Sequence, residues 1–550
     1  MAWVIGHNIW SPMGTTTAEN FAAVKAQRSS LCRYDHLWGL ADCFTASLFT
    51  AEQNRQLTVD GLTRFESLAV RSILQALRDI KHLQSKNVFF ILSTTKANIE
   101  LLDEGYDVGP ATAAQHIAQY LGFVTQPLTV CNACISGLSA IITANRLLDA
   151  GCYDYAVVCG ADVQSLFTVA GFESLKAVSQ DDCRPFDMER TGLNLGEAAA
   201  TLVLQREPED GGWAIVRGSV TNDAYHISSP SRNGDGAQLA LQAVVDGIDT
   251  ETLAFVNAHG TATLFNDQME SVAIEHAGLK EIPVNSYKGY FGHTLGAAGI
   301  LETVLSMAAV DEHTVIGTRG YTQRGVSGCI QLAADHCASN KQTFVKMISG
   351  FGGCNAALLV SKTLHSQTPK LPNSQTLISS ITLTPSSLVI GGKALTMPTA
   401  DNNTLTQLYK EYIGVYPKFH KMDGLSRLGF VASELLLRSA RLPASTAVVL
   451  FNHHSSLATD RHYHTTLADF PSPSLFVYTL PNIVCGEIAI RNGFRSETSF
   501  YIVPSKDEAM MDRIVSVTAA DPSVSHILYG WIDYNDESDF EAEMHIVEVL

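Results

Sequence analysis

From Val4 to about Lys362, short β-rich runs alternate with amphipathic helical stretches, as in NVFFILS (87–93), YAVVCGAD (155–162), ATLVLQ (200–205) and FVNAHG (255–260). Glycines and other small residues sit at the strand ends. Strands of this kind need apolar cover, and the intervening helices supply it. The pattern therefore predicts an α/β protein with sheets covered by helices. At 550 residues the chain exceeds one ordinary core and is expected to form two or three domains. A stretch rich in Ser, Thr, Pro and Gln, HSQTPKLPNSQT (365–376), reads as a linker, after which helix and strand patterns resume. The expected division is 1–362, a linker over 363–376, and 377–550.

The tail carries an internal repeat. Asp60-Gly61-Leu62-Thr63-Arg64 recurs as Asp423-Gly424-Leu425-Ser426-Arg427, and Ala69 as Ala432. Further on, a constant shift matches Ile117-Ala118 to Ile488-Ala489, Gly122-Phe123 to Gly493-Phe494 and Asp162 to Asp533. The shared order predicts that the tail is a degenerate copy of roughly residues 60–163. Under that shift Ser505, followed by Lys506, stands where the first copy has Cys134.

The 37 Lys and Arg against 55 Asp and Glu give a net charge of −18, which argues against non-specific nucleic-acid binding. The apolar stretches fall short of the ~20 residues that span a bilayer. The start, MAWVIGHNIWSPMG, has neither a basic n-region nor a continuous apolar core, so no signal peptide is expected. Eleven cysteines without a framework spacing point to free thiols and a reducing, cytoplasmic setting.

In VCNACISGLSAIITANRLLDAG (130–151) a β-like run ends at Cys134, and small residues lead into the helix Leu138–Leu148. A cysteine there faces the positive end of a helix and its unpaired N–H groups, which lower a thiol pKa. A thiolate is the nucleophile suited to taking an acyl group from a thioester. The segment alone is equally compatible with a buried structural cysteine, or with a C-x-x-C redox pair of Cys131 and Cys134. Two histidines weigh against both. VNAHGTATLFNDQMES (256–271) places His259 at a strand end. VNSYKGYFGHTLGAAGILE (284–302) places His293 in a Gly-rich turn that opens a helix, with Lys288 five residues earlier. The run Gly296-Ala297-Ala298-Gly299 allows close helix packing or close approach of a ligand. A zinc site of Cys134, His259 and His293 lacks any further ligand pair at structural-zinc spacing, so no metal is expected.

The segments NACISG, NAHGTAT…ND…E, NSYKGYFGHTLGAAGILE and SGFGGCNA (349–356) together resemble the β-ketoacyl synthase family of the thiolase superfamily. RPFDMERTGLNLGEAAATLVL (184–204) resembles that family's mid-sequence signature. The likeness covers residues 1–362. It implies a thiolase-like five-layered αβαβα core of two pseudo-symmetric halves, here followed by an α/β half-thiolase-like domain. It also implies that Cys134 accepts an acyl chain from an acyl carrier protein or coenzyme A, and that malonyl-carrier then loses CO2 and attacks the acyl-enzyme. By the same resemblance His259 and His293 hold the thioester carbonyl. Lys288 and Glu302 complete their polar network, Asp267 of the ND…E segment supports it, and Phe351 gates the nucleophile. Backbone N–H groups of Cys134 and Phe351 form the oxyanion hole, and no cofactor is required.

Departures from the family pattern are Ile135 after the nucleophile, Ser349 in place of a phenylalanine, and Cys354 in place of a threonine. The first two bear on the acyl pocket, and Cys354 reads as a substitution without a catalytic role. PNIVCGEIAIRNGF (481–494) resembles the family's segment before the nucleophile strand, and no counterpart of either histidine follows it. The tail is thus expected to be a half-domain without a nucleophile, pairing with the core in cis or across a homodimer as a chain-length factor does. YPKFHKMDGLSRLGFVASELLL (416–437) resembles ketosynthase-like proteins of aryl-polyene and flexirubin-type pathways, which implies a polyene chain. Arg184 and Arg190 are the candidates for docking an acidic carrier. The competing readings are a coenzyme-A thiolase, disfavoured by the second histidine, and a non-catalytic chain-length or scaffold subunit, disfavoured by the full Cys134, His259, His293 and Lys288 set.

Overall fold

The computed structural model describes the chain except residues 81–82, 84–86, 210, 364–373, 398–402 and 440. The first sheet is built from β1 (Ala2–Trp10), β2 (Val88–Ser93), β3 (Leu128–Val130), β4 (Tyr155–Asp162) and β5 (Ala198–Gln205). Their spatial order is β3-β2-β4-β5-β1, with β2 parallel to β3 and β4, and β5 antiparallel to β4 and β1. A second sheet of β6 (Trp213–Asn222), β7 (Leu253–Asn257), β8 (Pro283–Asn285), β9 (Thr343–Gly350) and β10 (Cys354–Ser361) has the matching order β8-β7-β9-β10-β6. The same order recurs a third time. β11 (Gln375–Thr384), β12 (Thr446–Asn452), β13 (Thr498–Ile502), β14 (His526–Asp536) and β15 (Asp539–Val549) lie as β13-β12-β14-β15-β11. The stretch expected as a linker falls mostly outside the described residues. Its last two, Gln375 and Thr376, already pair with Val549 and Glu548.

Helices α1 (Arg64–Leu77) and α2 (Pro110–Leu121) cover the outer face of the first sheet. The helices α3 (Ser136–Asp149) and, later in the chain, Ala298–Asp311 fill the space between the first two sheets. α4 (Asp235–Val245) and α5 (Leu264–His276) cover the outer face of the second sheet, completing five layers around Ala298–Asp311, which is α6. Buried on nearly every side, α3 and α6 cross at Gly137 and Gly299. A Cβ on Gly299 would lie 2.5 Å from the Leu138 nitrogen, so the small-residue run serves helix packing.

The repeated letters mark helix ends. Thr63 caps α1 in a capping box with Glu66. In the tail, Asp423 caps α7 (Gly424–Leu436) by accepting from the Ser426 N–H at 3.0 Å. The second copy has Gly429 where Glu66 stands, so the box cannot close and the helix starts one turn earlier on the aspartate. Gly122 and Gly493 end α2 and α8 (Ile483–Asn492) in the same left-handed conformation, at φ 73° and 72°.

The tail joins the core edge to edge. β13 pairs antiparallel with β3, Tyr501 opposite Val130 and Ile502 opposite Thr129, and the Asn132 side chain accepts from the Phe500 N–H at 2.7 Å. A buried ion pair crosses the same boundary. Lys96 Nζ lies 2.6 Å from Asp460 Oδ1, both side chains are 7% exposed, and the ammonium also donates to the Thr479 carbonyl. Lys96→Met leaves Asp460 buried and unpaired, and is expected to lower unfolding free energy by about 3 kcal/mol. Denaturant titration of Lys96→Met and of Lys96→Met/Asp460→Asn checks this, with the double variant regaining much of the loss.

Candidate active site

Cys134 stands where β3 gives way to α3. Ala133 before it has φ 49°, a left-handed conformation that costs a non-glycine residue about 1 kcal/mol or more and turns the following side chain out of the strand direction. The thiol opens on a cavity of ≈ 390 Å³ whose walls include Phe172, Thr261, Leu264, Ser349 and Phe351. His293 Nε2 is 3.0 Å from Cys134 Sγ, and the His259 and His293 rings are 4.8 Å apart at 80°. The three residues drawn from distant parts of the sequence therefore meet.

Each histidine is held by its backbone. The carboxylate of Glu270 accepts the N–H groups of His259 and Gly260, both at 2.7 Å. Asp267 accepts from Phe186 at 2.7 Å and Ala262 at 3.1 Å, fixing the turn after His259 without touching the cavity. Burial pushes Asp267 up to about 6, and burial with the neighbouring Asp267 pushes Glu270 up to about 7. The main chain of His293 is pinned by Asn194 and Gly196 at 2.7 and 2.9 Å. Its Nδ1 accepts from the Leu295 N–H at 3.3 Å, which puts the ring proton on Nε2, facing the thiol. Asp162, at the end of β4, ties Thr94, Thr95 and the Gly296 N–H together and supports the same turn.

Behind the imidazoles lies a buried charge cluster. Lys288 and Lys346 each pair with one oxygen of Glu302, Lys346 at 2.6 Å, and all three side chains are sealed from solvent. Burial first, and then the Lys288 charge, holds both histidines well below 6.5, so the rings are neutral donors. The thiol differs from the expectation of a lowered pKa. Burial pushes Cys134 up to about 12, with Lys288 pulling the other way, because closure of two sheets over the helix end removes the water that would solvate a thiolate. Among the described residues Cys134, His259 and His293 form the one cluster able to offer a metal three ligands, their atoms lying within 4.8 Å of one another. Two ammonium groups directly behind the rings oppose a dication there.

Phe351 follows the end of β9 and its ring lies 6.1 Å from that of Phe172, over the cavity. For Arg190 the docking expectation is corrected: it is buried and donates to the carbonyls of Asp187, Gly325 and Leu264. Arg184 is taken up by Glu189, Thr322 and the Gly320 carbonyl. Both guanidiniums brace loops. Cys131 is buried with its thiol toward the Thr95 carbonyl at 3.5 Å, while Cys134 faces His293, and all eleven cysteines are unpaired. Ile135 packs in the core and does not line the cavity, whereas Ser349 does and donates to Asn355 at 2.7 Å. Sequence reasoning missed Lys346, Glu270, Asp162 and two residues of the tail. Asn482 donates to the Phe351 carbonyl at 2.8 Å, and the Phe476 ring fills the space a Cβ on Gly171 would take, edge-on to Phe172.

Two models describing β-ketoacyl synthases match the chain, the N-terminal domain over residues 23–210 and the C-terminal domain over 213–322. A 3-oxoacyl-[acyl-carrier-protein] synthase 2 of Vibrio cholerae is 26% identical over 415 residues, covering 65% of this chain and 98% of that protein. A putative mitochondrial 3-oxoacyl-[acyl-carrier-protein] synthase of Schizosaccharomyces pombe is 32% identical over 277 residues, 46% of this chain and 65% of the relative. Among solved structures, the PfaC keto synthase–chain length factor superposes with a TM-score of 0.81 at 15% identity, covering 100% of this chain and 78% of its own. The ketosynthase ApeO of Xenorhabdus doucetiae, solved in complex with its chain length factor ApeC, gives 0.57 at 24% identity, covering 66% of this chain and 97% of that one. These structural likenesses speak for the fold, and the PfaC match extends it through the tail. No helix among the described residues is long and apolar enough to cross a membrane. The chain belongs to the β-ketoacyl synthase family, with its thiolase-like fold, and is an acyltransferase of the 3-oxoacyl-[acyl-carrier-protein] synthase type, performing the condensation of fatty-acid or polyketide synthesis.

Proposed function

We propose that Cys134 carries the growing acyl chain and that the chain condenses it with malonyl-carrier protein, with loss of CO2. The carrying observation is the approach of His293 Nε2 to Cys134 Sγ at 3.0 Å, beside His259, at the end of one cavity. In the first step Cys134 sulfur attacks the acyl thioester carbonyl. The bond to the carrier's sulfur breaks, and the thiol proton ends on that sulfur. N–H groups of Cys134 and Phe351 receive the transient oxyanion. In the second step the malonyl thioester oxygen sits between the two neutral imidazoles. The C–C bond to the carboxylate breaks, CO2 leaves, and the electron pair passes into the enolate. Its carbon attacks the acyl-enzyme carbonyl, the bond to Cys134 breaks, and the departing sulfur takes a proton from water to restore the thiol.

The tail, in this reading, is the partner half that a dimer would otherwise supply, and it bears no second site. Ser505, the expected counterpart of Cys134, is exposed. The adjacent Lys506 pairs with Glu541 and Glu543. Its part in catalysis is to shape the acyl cavity through Asn482 and Phe476, as a chain-length factor would, with acyl and malonyl groups delivered on acyl carrier protein. The segment 416–437 packs on the third sheet and lines no part of the cavity, and its resemblance to aryl-polyene and flexirubin-type ketosynthases makes a polyene the chain this reading favours.

Incubation with a panel of acyl-carrier thioesters should add one acyl mass to the intact protein. The adduct should map to Cys134 and vanish in Cys134→Ala; no adduct from any donor sinks the reading. Phe476→Leu should free Phe172 to move and shift the product distribution toward longer chains, measured by mass spectrometry of the released products. An unchanged distribution would remove the tail from chain-length control.

A further inference from the structure

We propose that Lys346 is a positioning residue of the reaction, holding His259 in place through the Ala258 carbonyl and, with Lys288, giving the enolate site a net positive charge. The inference rests on the condensing reading above. Lys346 lies in β9, a strand buried throughout most of its length, and its own side chain is 0% exposed. Its ammonium reaches the carbonyls of Ala258 at 3.2 Å, Asn257 at 3.4 Å and Met347 at 2.8 Å, and pairs with Glu302 Oε2 at 2.6 Å. Ala258 directly precedes His259, so a displacement of Lys346 is transmitted to that ring through a single peptide.

The charge balance gives the second role. Glu302 alone would neutralise Lys288, leaving two neutral imidazoles facing the enolate. The second ammonium makes the cluster of Lys288, Glu302 and Lys346 net positive. The other ionisable groups facing it are His259 and His293, held neutral, and Glu270, raised to about 7, which faces Lys346 across the His259 turn and offsets part of that positive charge once it ionises. Charge develops on the thioester oxygen only as CO2 leaves, so a buried cation behind the rings acts chiefly on that step. Acyl transfer to Cys134 uses backbone N–H groups and depends on it less. Burial, reinforced by Lys288 and opposed by Glu302, lowers Lys346 to about 8. It is thus charged at neutral pH and loses the proton as pH rises through that value.

The test separates the two steps. Decarboxylation of malonyl-carrier and acylation of Cys134 are measured from pH 6 to 9.5 in the intact protein and in Lys346→Met and Lys346→Arg. The expected result for Lys346→Met is a fall of at least about tenfold in decarboxylation against less than about threefold in acylation. The decline in wild-type decarboxylation above about pH 8 should be absent from Lys346→Met, and Lys346→Arg should recover part of the rate. Equal losses in both steps, or an unchanged pH profile in Lys346→Met, would overturn the proposal. If Lys346→Met does not fold, Lys346→Arg decides: a larger loss in decarboxylation than in acylation supports the proposal, and equal losses overturn it. Absence of any acyl adduct in the wild type would instead defeat the condensing reading itself.

Discussion

The structure hangs on an edge. β3 is three residues long, fully buried, and leads into the turn that carries Cys134, so its outer side must be paired rather than left to water. β13 supplies that pairing, and Asn132, two residues before Cys134, is spent on the Phe500 N–H. The approach to the thiol is therefore built from both sides of the seam. The loop around Phe351, the Phe172 wall and the buried pair of Lys96 and Asp460 all take their positions from the same join. The described residues of the tail are part of the scaffold of the cavity, although the histidines and Cys134 lie in the core.

The second constraint is electrostatic. In the proposed reaction two imidazoles must stay neutral while a negative charge forms between them, in a buried site. Two lysines and a glutamate, sealed together, meet both demands: the excess cation discourages protonation of the rings and attracts the charge that develops. A buried ion cluster is rarely an efficient source of stability. Its place directly behind the histidines gives it a reason to be retained at that cost.

Much of this was legible in the sequence. YAVVCGAD became β4 with unchanged ends, because eight residues between a turn and a small-residue stop leave little choice. Cys134, His259, His293, Lys288 and Glu302 were found through their motifs and do converge. What escaped were contacts made by packing between distant segments. Lys346 is a single cation in the buried strand TFVKMISG, a signal that was present but lacked a motif. Asn482 and Phe476, which back the cavity walls Phe351 and Phe172, have no local motif and are reached only through the seam between β3 and β13. The thiol pKa was misjudged because the helix end was weighed and the closure of the second sheet was not. Arg184 and Arg190 were read as surface charge, although guanidiniums flanked by turn residues often serve to collect carbonyls.

The third repeat of the sheet brings one helix, Glu508–Ala519, to the position that α3 holds in the core. α3 is buried on nearly all sides, whereas the tail helix leaves Glu508, Ala509 and Asp512 exposed. It packs against α3 on one side and is dressed for water on the other. A chain with three such units has its β3 edge occupied by itself, so the pairing does not weaken on dilution as an association between separate subunits must. Its two sides are also always made in equal number. In the proposed reading, what a two-subunit enzyme must arrange through expression and mass action falls here to one stretch of covalent chain.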